Sequence, residues 1–238
     1  MKLGTKNAIS CIWKKLPESS TKRLIRSYMY NKENFAYKSG NVFGDIYAGK
    51  NNLWGQEESK SGGGSTMQAT AILREQLPLI IERYSITSML DVPCGDYNWI
   101  KAVDKKCSYI GGDIVPELIE NNQKLYGSDS VQFKVVDITK DALPKVDLIF
   151  CRECLQHLSD SNVKKAIENF KRSGSKYLLV SSYPKTWRNY DILDGDYRAL
   201  NLRKKPFCLP KPLSVIKENV MPGVGFDKSM YLYNLSSI

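Results

Sequence analysis

From Ser88 onward the chain repeats one unit: a short apolar run that stops at an acid or a glycine, followed by a stretch with helical spacing. Ser88 to Val92 runs into Pro-Cys-Gly-Asp, Cys107 to Ile110 into Gly-Gly-Asp, and Val131 to Val136 into Asp137-Ile138. Val146 to Phe150 runs into Cys-Arg-Glu, and Tyr177 to Ser182 stops at Pro184. Between them, Tyr97 to Val103, Val115 to Tyr126 and Asn162 to Lys171 have helical spacing, with Gly127 and Gly174 as stops. Runs of four to six apolar residues alternating with such helices predict an α/β fold: a doubly wound, mostly parallel sheet with helices on both faces. Ser229 to Leu235 alternates as a final strand, and Leu213 to Lys217 is its hairpin partner. The sheet then has seven strands, with the last one antiparallel.

Upstream of this repeat the chain changes character. Met67 to Tyr84 predicts a helix capped by Thr66, with Pro78 kinking or dividing it. Residues 55–66, GQEESKSGGGST, have the composition of a flexible linker. The other reading of this stretch is a glycine-rich loop that wraps a ligand with the hydroxyls of Ser61, Ser65 and Thr66. Residues 1–50 are aromatic-rich without a long period and form an N-terminal extension packed over the core, with one short helix within 19–30. Residues 51–238 are the core domain.

Bulk properties narrow the function. No apolar run reaches the ~18 residues that a bilayer-spanning helix needs, and the N-terminus lacks a signal-peptide apolar region, so a cytoplasmic protein is expected. The six cysteines are expected to be free thiols. Cys151 and Cys154 form a CxxC pair, but His157 is the only histidine and no second ligand pair is spaced for zinc, so no metal site is expected. The net charge is +10, and its excess lies in residues 1–60 and 185–217. Such regions suit an anionic substrate, a nucleic acid or an acidic membrane surface, or are simply solvated faces.

In a doubly wound sheet, ligands bind at the carboxyl ends of the strands. Gly95 permits a tight turn and close backbone approach, and Asp91 and Asp96 flank it. Acids at that turn repel phosphate, and neither GxGxxG nor a P-loop pattern is present. A ligand with an amino group fits better. Asp113, at the end of the next strand, stands where a carboxylate can take both hydroxyls of a ribose. Asp137 can accept from an exocyclic amine, with Ile138 against a flat base. Each aspartate also has a structural reading, as a turn or a helix cap.

The ordered strand ends resemble those of class I S-adenosylmethionine-dependent methyltransferases, with Asp91-Val92-Pro93-Cys94-Gly95-Asp96 as the first motif, Asp113 as the ribose acid and Asp137-Ile138 as the adenine pair. More narrowly, the chain resembles a bacterial branch with a DxPCGDxxWM-like signature, here with Ile100 last. The Ser-Gly-x-Gly-Ser segment at Ser61 to Ser65, the strand end YLLVSSYP, and Asn201-Leu202 through Pro206-Phe207 match that branch. The resemblance covers roughly residues 50 to 238 and departs from the wider family in having a single glycine in the first motif. It implies S-adenosylmethionine as cofactor, held by Asp91, Pro93, Cys94, Gly95, Asp96, Trp99, Asp113, Ile114, Asp137, Ile138 and Cys151, with Ser61, Gly62 and Ser65 on the other side.

Transfer of an activated methyl group needs alignment and at most one base. His157 is the candidate base, or a packed or capping histidine; Glu153 orients it, if the segment is helical, or holds the acceptor. Arg152, Tyr183, Trp187, Arg188, Tyr190 and Arg198 are candidates for the acceptor side, which would suit an anionic acceptor. The resemblance implies O-methylation of a small molecule or a sugar or glycan precursor. The alternatives are an RNA methyltransferase, a NAD-dependent oxidoreductase and a non-catalytic binding protein on the same scaffold; the missing GxGxxG argues against the second.

Overall fold

The computed structural model describes residues 42–49, 58–218 and 228–238. The helix expected within 19–30 and Trp54 lie outside these residues. Seven strands form one sheet: β1 (Ser88–Asp91), β2 (Ser108–Asp113), β3 (Val131–Val135), β4 (Leu148–Cys151), β5 (Tyr177–Ser182), β6 (Ser214–Lys217) and β7 (Ser229–Asn234). Their order is β3-β2-β1-β4-β5-β7-β6. β1 to β5 pair in parallel, while β7 is antiparallel both to β5 and to β6. The expected hairpin at the end of the chain is therefore present, and the order reverses between β1 and β4, where a doubly wound sheet opens its binding crevice.

Alternation along the central strands divides the core into two faces. Leu90, Ile149, Leu178 and Val180 join Val163, Ala166, Ile167 and Phe170 of α4 (Asp160–Arg172) on one face. Met89, Leu148, Phe150 and Leu179 join Leu73, Leu77, Ile80 and Ile81 of α2 (Ala71–Arg83), and Ile119 of α3 (Pro116–Tyr126), on the other. Ser159 caps α4 by accepting from the Asn162 N–H. Before them, α1 (Val42–Tyr47) packs Phe43 against the first face.

Four local expectations change. The helix expected over Tyr97 to Val103 is only a 3-10 turn at Ile100–Ala102, because Tyr97 takes a φ of 59° that no helix accommodates. α2 begins at Ala71 rather than Met67; Thr66 caps the turn ahead of it, accepting from the Ala69 N–H at 3.1 Å. Pro78 sits inside one continuous helix rather than dividing it. β2 runs on through Gly111 and Gly112 because the strand packs too closely for side chains there. A Cβ at Gly111 would stand 2.6 Å from the Phe133 ring, and one at Gly112 would stand 2.6 Å from a Val92 methyl.

Between β5 and β6 lies a long segment without helix or strand, yet Leu200 and Leu202 within it are buried. Arg198 holds it in place. Its guanidinium is fully buried, donates to the carbonyls of Tyr190 and Leu158 at 2.7 Å each, and pairs with Asp160 at 2.7 Å. Replacing Arg198 with alanine strands two buried carbonyls, and the expected loss is about 3 kcal/mol of unfolding free energy by urea titration. Arg188→Ala, at an exposed position, is the control and should shift the midpoint little.

Candidate active site

The chain turns sharply where β1 ends. Gly95 takes a φ of 55°, and a Cβ there would meet the Ser61 Oγ at 2.2 Å, so glycine is needed for both conformation and space. Asp113 fastens this turn to the end of β2. Its carboxylate accepts from the Gly95 N–H and the Val115 N–H, both at 3.2 Å. Asn122 of α3 donates to the Gly95 carbonyl at 2.7 Å. The Ile114 N–H also holds its charge, and of a carboxylate's roughly four lone-pair directions at least one is left beyond these bonds.

Asp96 does something else. Its carboxylate accepts from Ser59 Oγ at 2.9 Å, the Lys60 N–H at 2.7 Å and Ser61 Oγ at 3.1 Å, and its own N–H donates back to Ser61 Oγ. Ser61 spends its hydrogen on Asp96, so the Tyr47 hydroxyl donates to Ser61 at 2.8 Å. Asp96 thus forms a clasp that pins the glycine-rich segment over the first motif. Residues 58–66 are therefore fastened to the first motif rather than a free linker.

Two adjoining cavities open at the strand ends. One is lined by Phe43, Val92, Asp113, Ile114, Val136, Asp137, Ile138, Cys154 and Leu158. The other is lined by the loop from Ser61 to Ser65 with Asp91, Cys94, Gly95, Asp96, Trp99, Phe150, Arg152 and Tyr197. Tyr47, Pro93, Glu153 and His157 line both and mark where they join. Most cofactor candidates thus meet in one cleft. Cys151 does not: it is fully buried in the core, and Cys154 takes the cavity wall instead. Asp137 reaches the cavity, but its Oδ1 also closes a local turn, accepting from the Thr139 N–H at 2.9 Å and hydroxyl at 2.6 Å.

Burial sets the charge of the acids. It pushes the Asp91 carboxyl up to about 7, against the hydroxyl of Tyr109, which donates to Oδ2 at 2.6 Å. It pushes Asp113 up to about 6, held back by the Val115 and Gly95 N–H groups. Glu153 goes the other way: burial would raise it, but Lys228, Arg152, His157 and the Tyr183 hydroxyl outweigh burial and hold it below the ordinary glutamate value.

His157 stands in a 3-10 turn, Leu155–His157, and its Nδ1 lies 2.8 Å from the Asp196 carbonyl. A carbonyl only accepts, so Nδ1 carries the hydrogen and Nε2 is the basic nitrogen. Burial lowers its pKa, opposed in part by that carbonyl and by Glu153. The segment from Glu153 is not helical, since Glu153 itself has a φ of 52°. The Asp196 carbonyl therefore orients the ring, and the helical spacing expected between Glu153 and His157 is absent.

The acceptor-side candidates separate most. Arg152 lines the cleft, but its guanidinium is buried over the Trp99 ring and bonded to Glu218 Oε2 at 2.7 and 3.1 Å. Tyr183 is buried behind Glu153 and donates to its Oε1 at 3.0 Å. Trp187 is 79% exposed, Arg188 is exposed, and Arg198 is a buried brace; none of these, nor Tyr190, lines either cavity. Tyr47, Phe43, Cys154 and Leu158 are among the lining residues that strand-end reasoning passed over. Tyr197, of the aromatic series after β5, lines the second cavity.

The cleft suits the group its sequence implied: apolar walls for a flat base, a carboxylate with lone-pair capacity left for a diol, and a buried acid, Asp91, for a cation. Such an acid destabilises the fold when no cation is bound. Because its folded pKa lies above its unfolded value, this cost grows as pH rises from about 4 through about 7. Asp91→Asn should therefore stabilise the ligand-free protein by on the order of 3 kcal/mol near pH 8, and by less as pH falls, measured by urea unfolding.

A family model described as a methyltransferase domain matches residues 89–174. No curated protein matches the chain. Human N-acetylserotonin methyltransferase in complex with S-adenosylmethionine superposes with a TM-score of 0.59 at 14% identity, over 90% of this chain and 67% of that one. The N-methyltransferase NodS from Bradyrhizobium japonicum, with S-adenosylhomocysteine, gives 0.58 at 14% identity, over 84% and 98%. The 1,6-didemethyltoxoflavin-N1-methyltransferase of Burkholderia thailandensis gives 0.56 at 12% identity, over 92% of each. The chain thus has the fold of these methyltransferases, and its stretch 89–174 matches the methyltransferase-domain model.

Proposed function

We infer that this protein transfers the methyl group of S-adenosylmethionine to a hydroxyl of a small molecule, a sugar or glycan precursor within the bacterial branch that its first motif resembles. The observation that carries the reading is the convergence of Asp91, Asp113 and Asp137, from the ends of β1, β2 and β3, on two cavities joined at Glu153 and His157. Asp113 would hold the ribose diol, Ile114 and Ile138 the base, and Asp91 the amino group. Bound there, the cofactor supplies an activated methyl group, so the protein needs no covalent nucleophile. Structures that this chain resembles bear names that attach them to N-acetylserotonin and to a toxoflavin precursor, both small molecules, which supports an acceptor of that size.

The chain's own part is alignment, exclusion of water and one proton. The clasp from Asp96 to Ser59 and Ser61 closes the glycine-rich loop over the cleft and restricts solvent. His157 Nε2 takes the proton of the attacking hydroxyl, and the Asp196 carbonyl keeps the ring in the tautomer that allows it.

Calorimetric titration with S-adenosylmethionine, S-adenosylhomocysteine and NAD tests the cofactor. The first two should bind and NAD should not, and Asp113→Ala should weaken binding by about tenfold or more by removing a charge-assisted hydrogen bond. Binding of NAD alone would overturn the reading.

The base role has a pH signature. Neutral His157 is the active form, so kcat/KM falls as pH drops through its pKa, and burial places that acid limb below the ordinary histidine value near 6.5. His157→Ala should remove the limb and lower kcat by about a hundredfold while sparing cofactor affinity. Full activity in that variant would assign His157 to packing.

A further inference from the structure

The charge of the cleft is opposite to the charge of the chain. Among the described residues lining the two cavities, Asp91, Asp96, Asp113, Asp137 and Glu153 are acidic, and Arg152 is the single lysine or arginine. Arg152 is already neutralised by Glu218 at 2.7 Å. The basic stretch after β5 contributes no lining cation, because Arg188 faces solvent and Arg198 is a buried brace.

Glu153, like Asp91, carries no bond to the backbone turns of the cleft among the described residues. Its own backbone is held in the left-handed region, at a φ of 52°, which a glutamate adopts only at a cost. Three contacts keep it there: its N–H donates to Ser181 Oγ at 3.0 Å, Tyr183 donates to Oε1 at 3.0 Å, and Lys228 lies 3.6 Å from Oε2. Lys228 also reaches Glu218 Oε2 at 3.5 Å, so Glu153, Lys228, Glu218 and Arg152 form one chain of alternating charge from the cleft to the base of the β6–β7 hairpin. Lys228, Glu218 and Arg152 are all but buried, whereas the Glu153 side chain keeps 26% of its surface open. The network thus presents a single ionised carboxylate to the cleft, at the junction of the two cavities and opposite the glycine-rich loop, where a Cβ on Gly64 would stand 3.4 Å from Oε2.

We propose that Glu153 anchors the acceptor, and that the acceptor presents to it a hydrogen-bond donor, a hydroxyl or a protonated amine, with no anionic group at the point of attack. This rests on the methyltransferase reading above, and it replaces the anionic acceptor that composition suggested. An anion brought to this junction meets a fixed carboxylate and no available cation, and so loses its hydration without a partner. A hydroxyl or an ammonium replaces its water with a charge-assisted bond.

The test needs no knowledge of the acceptor. Sinefungin carries an ammonium group where S-adenosylmethionine carries its methyl, and S-adenosylhomocysteine carries nothing there. By calorimetry, sinefungin should bind about tenfold more tightly than S-adenosylhomocysteine to the wild-type protein. In Glu153→Gln that ratio should fall to near one while S-adenosylhomocysteine affinity is kept. In Glu153→Asp, which keeps the charge but withdraws it by one methylene, the ratio should fall part of the way. Equal affinities in the wild type, or an unchanged ratio in E153Q, overturn the proposal but leave the cofactor reading standing. Failure of both ligands to bind the wild type overturns both.

Discussion

The cleft depends on one carboxylate that binds two loops at once. Asp113 closes β2, accepts from Gly95 in the turn after β1, and accepts from Val115 ahead of α3. Those two strands are neighbours in the parallel sheet, so their carboxyl ends open side by side, and Asp113 joins their turns together with the Cys94 N–H to Gly112 carbonyl bond at 2.8 Å. Carboxylate acceptors hold backbone N–H groups more strongly than neutral ones do. The same carboxylate that organises the site keeps lone-pair capacity for a ligand. Scaffold and binding group are here one residue, which is why the left-handed glycine can be held so close to Ser61.

The clasp formed by Asp96 extends this arrangement to a segment far away in sequence. Ser59, Lys60 and Ser61 lie more than thirty residues before the acid that holds them. Tyr47 continues the chain of bonds into α1. These bonds hold the glycine-rich loop within the fold itself, and a loop so held carries less entropy into alignment. The buried acids carry the opposite sign of energy. Burial raises the Asp91 and Asp113 carboxyls above the ordinary aspartate value, and a cation beside them offsets that cost.

What the sequence disclosed follows from how local each signal is. The period of apolar runs gave the strand order its raw material, and β5 and the β6–β7 hairpin fall where alternation puts them. Strand-end acids were legible because parallel strands all point the same way, so an acid at each end lands on one edge. The glycines of β2 misled because close packing and tight turning both require glycine, and only Phe133 and Val92, distant in sequence, distinguish them here. Tyr97 misled because a left-handed φ in a tyrosine has no compositional mark. Cys151 and Cys154 are three residues apart, yet one faces the core and the other the cavity; after β4 the chain leaves the period of two, and facing can no longer be counted.

Charge shows the same limit from the other side. A net charge of +10 is a property of the whole chain, and it predicts long-range attraction of anions, not what a cleft accepts. Inside the cleft the field is set by groups within a few ångströms, where water no longer screens them. There the two arginines nearest the acceptor side in sequence have been consumed, Arg152 by Glu218 and Arg198 by carbonyls and Asp160. An arginine is used in this way because its planar fork satisfies several acceptors in a space that no hydrated lysine could enter. Each such use subtracts a cation from the site. The scarcity of free cations in the cleft is therefore tied to how the irregular segment after β5 and the terminal hairpin are held to the sheet.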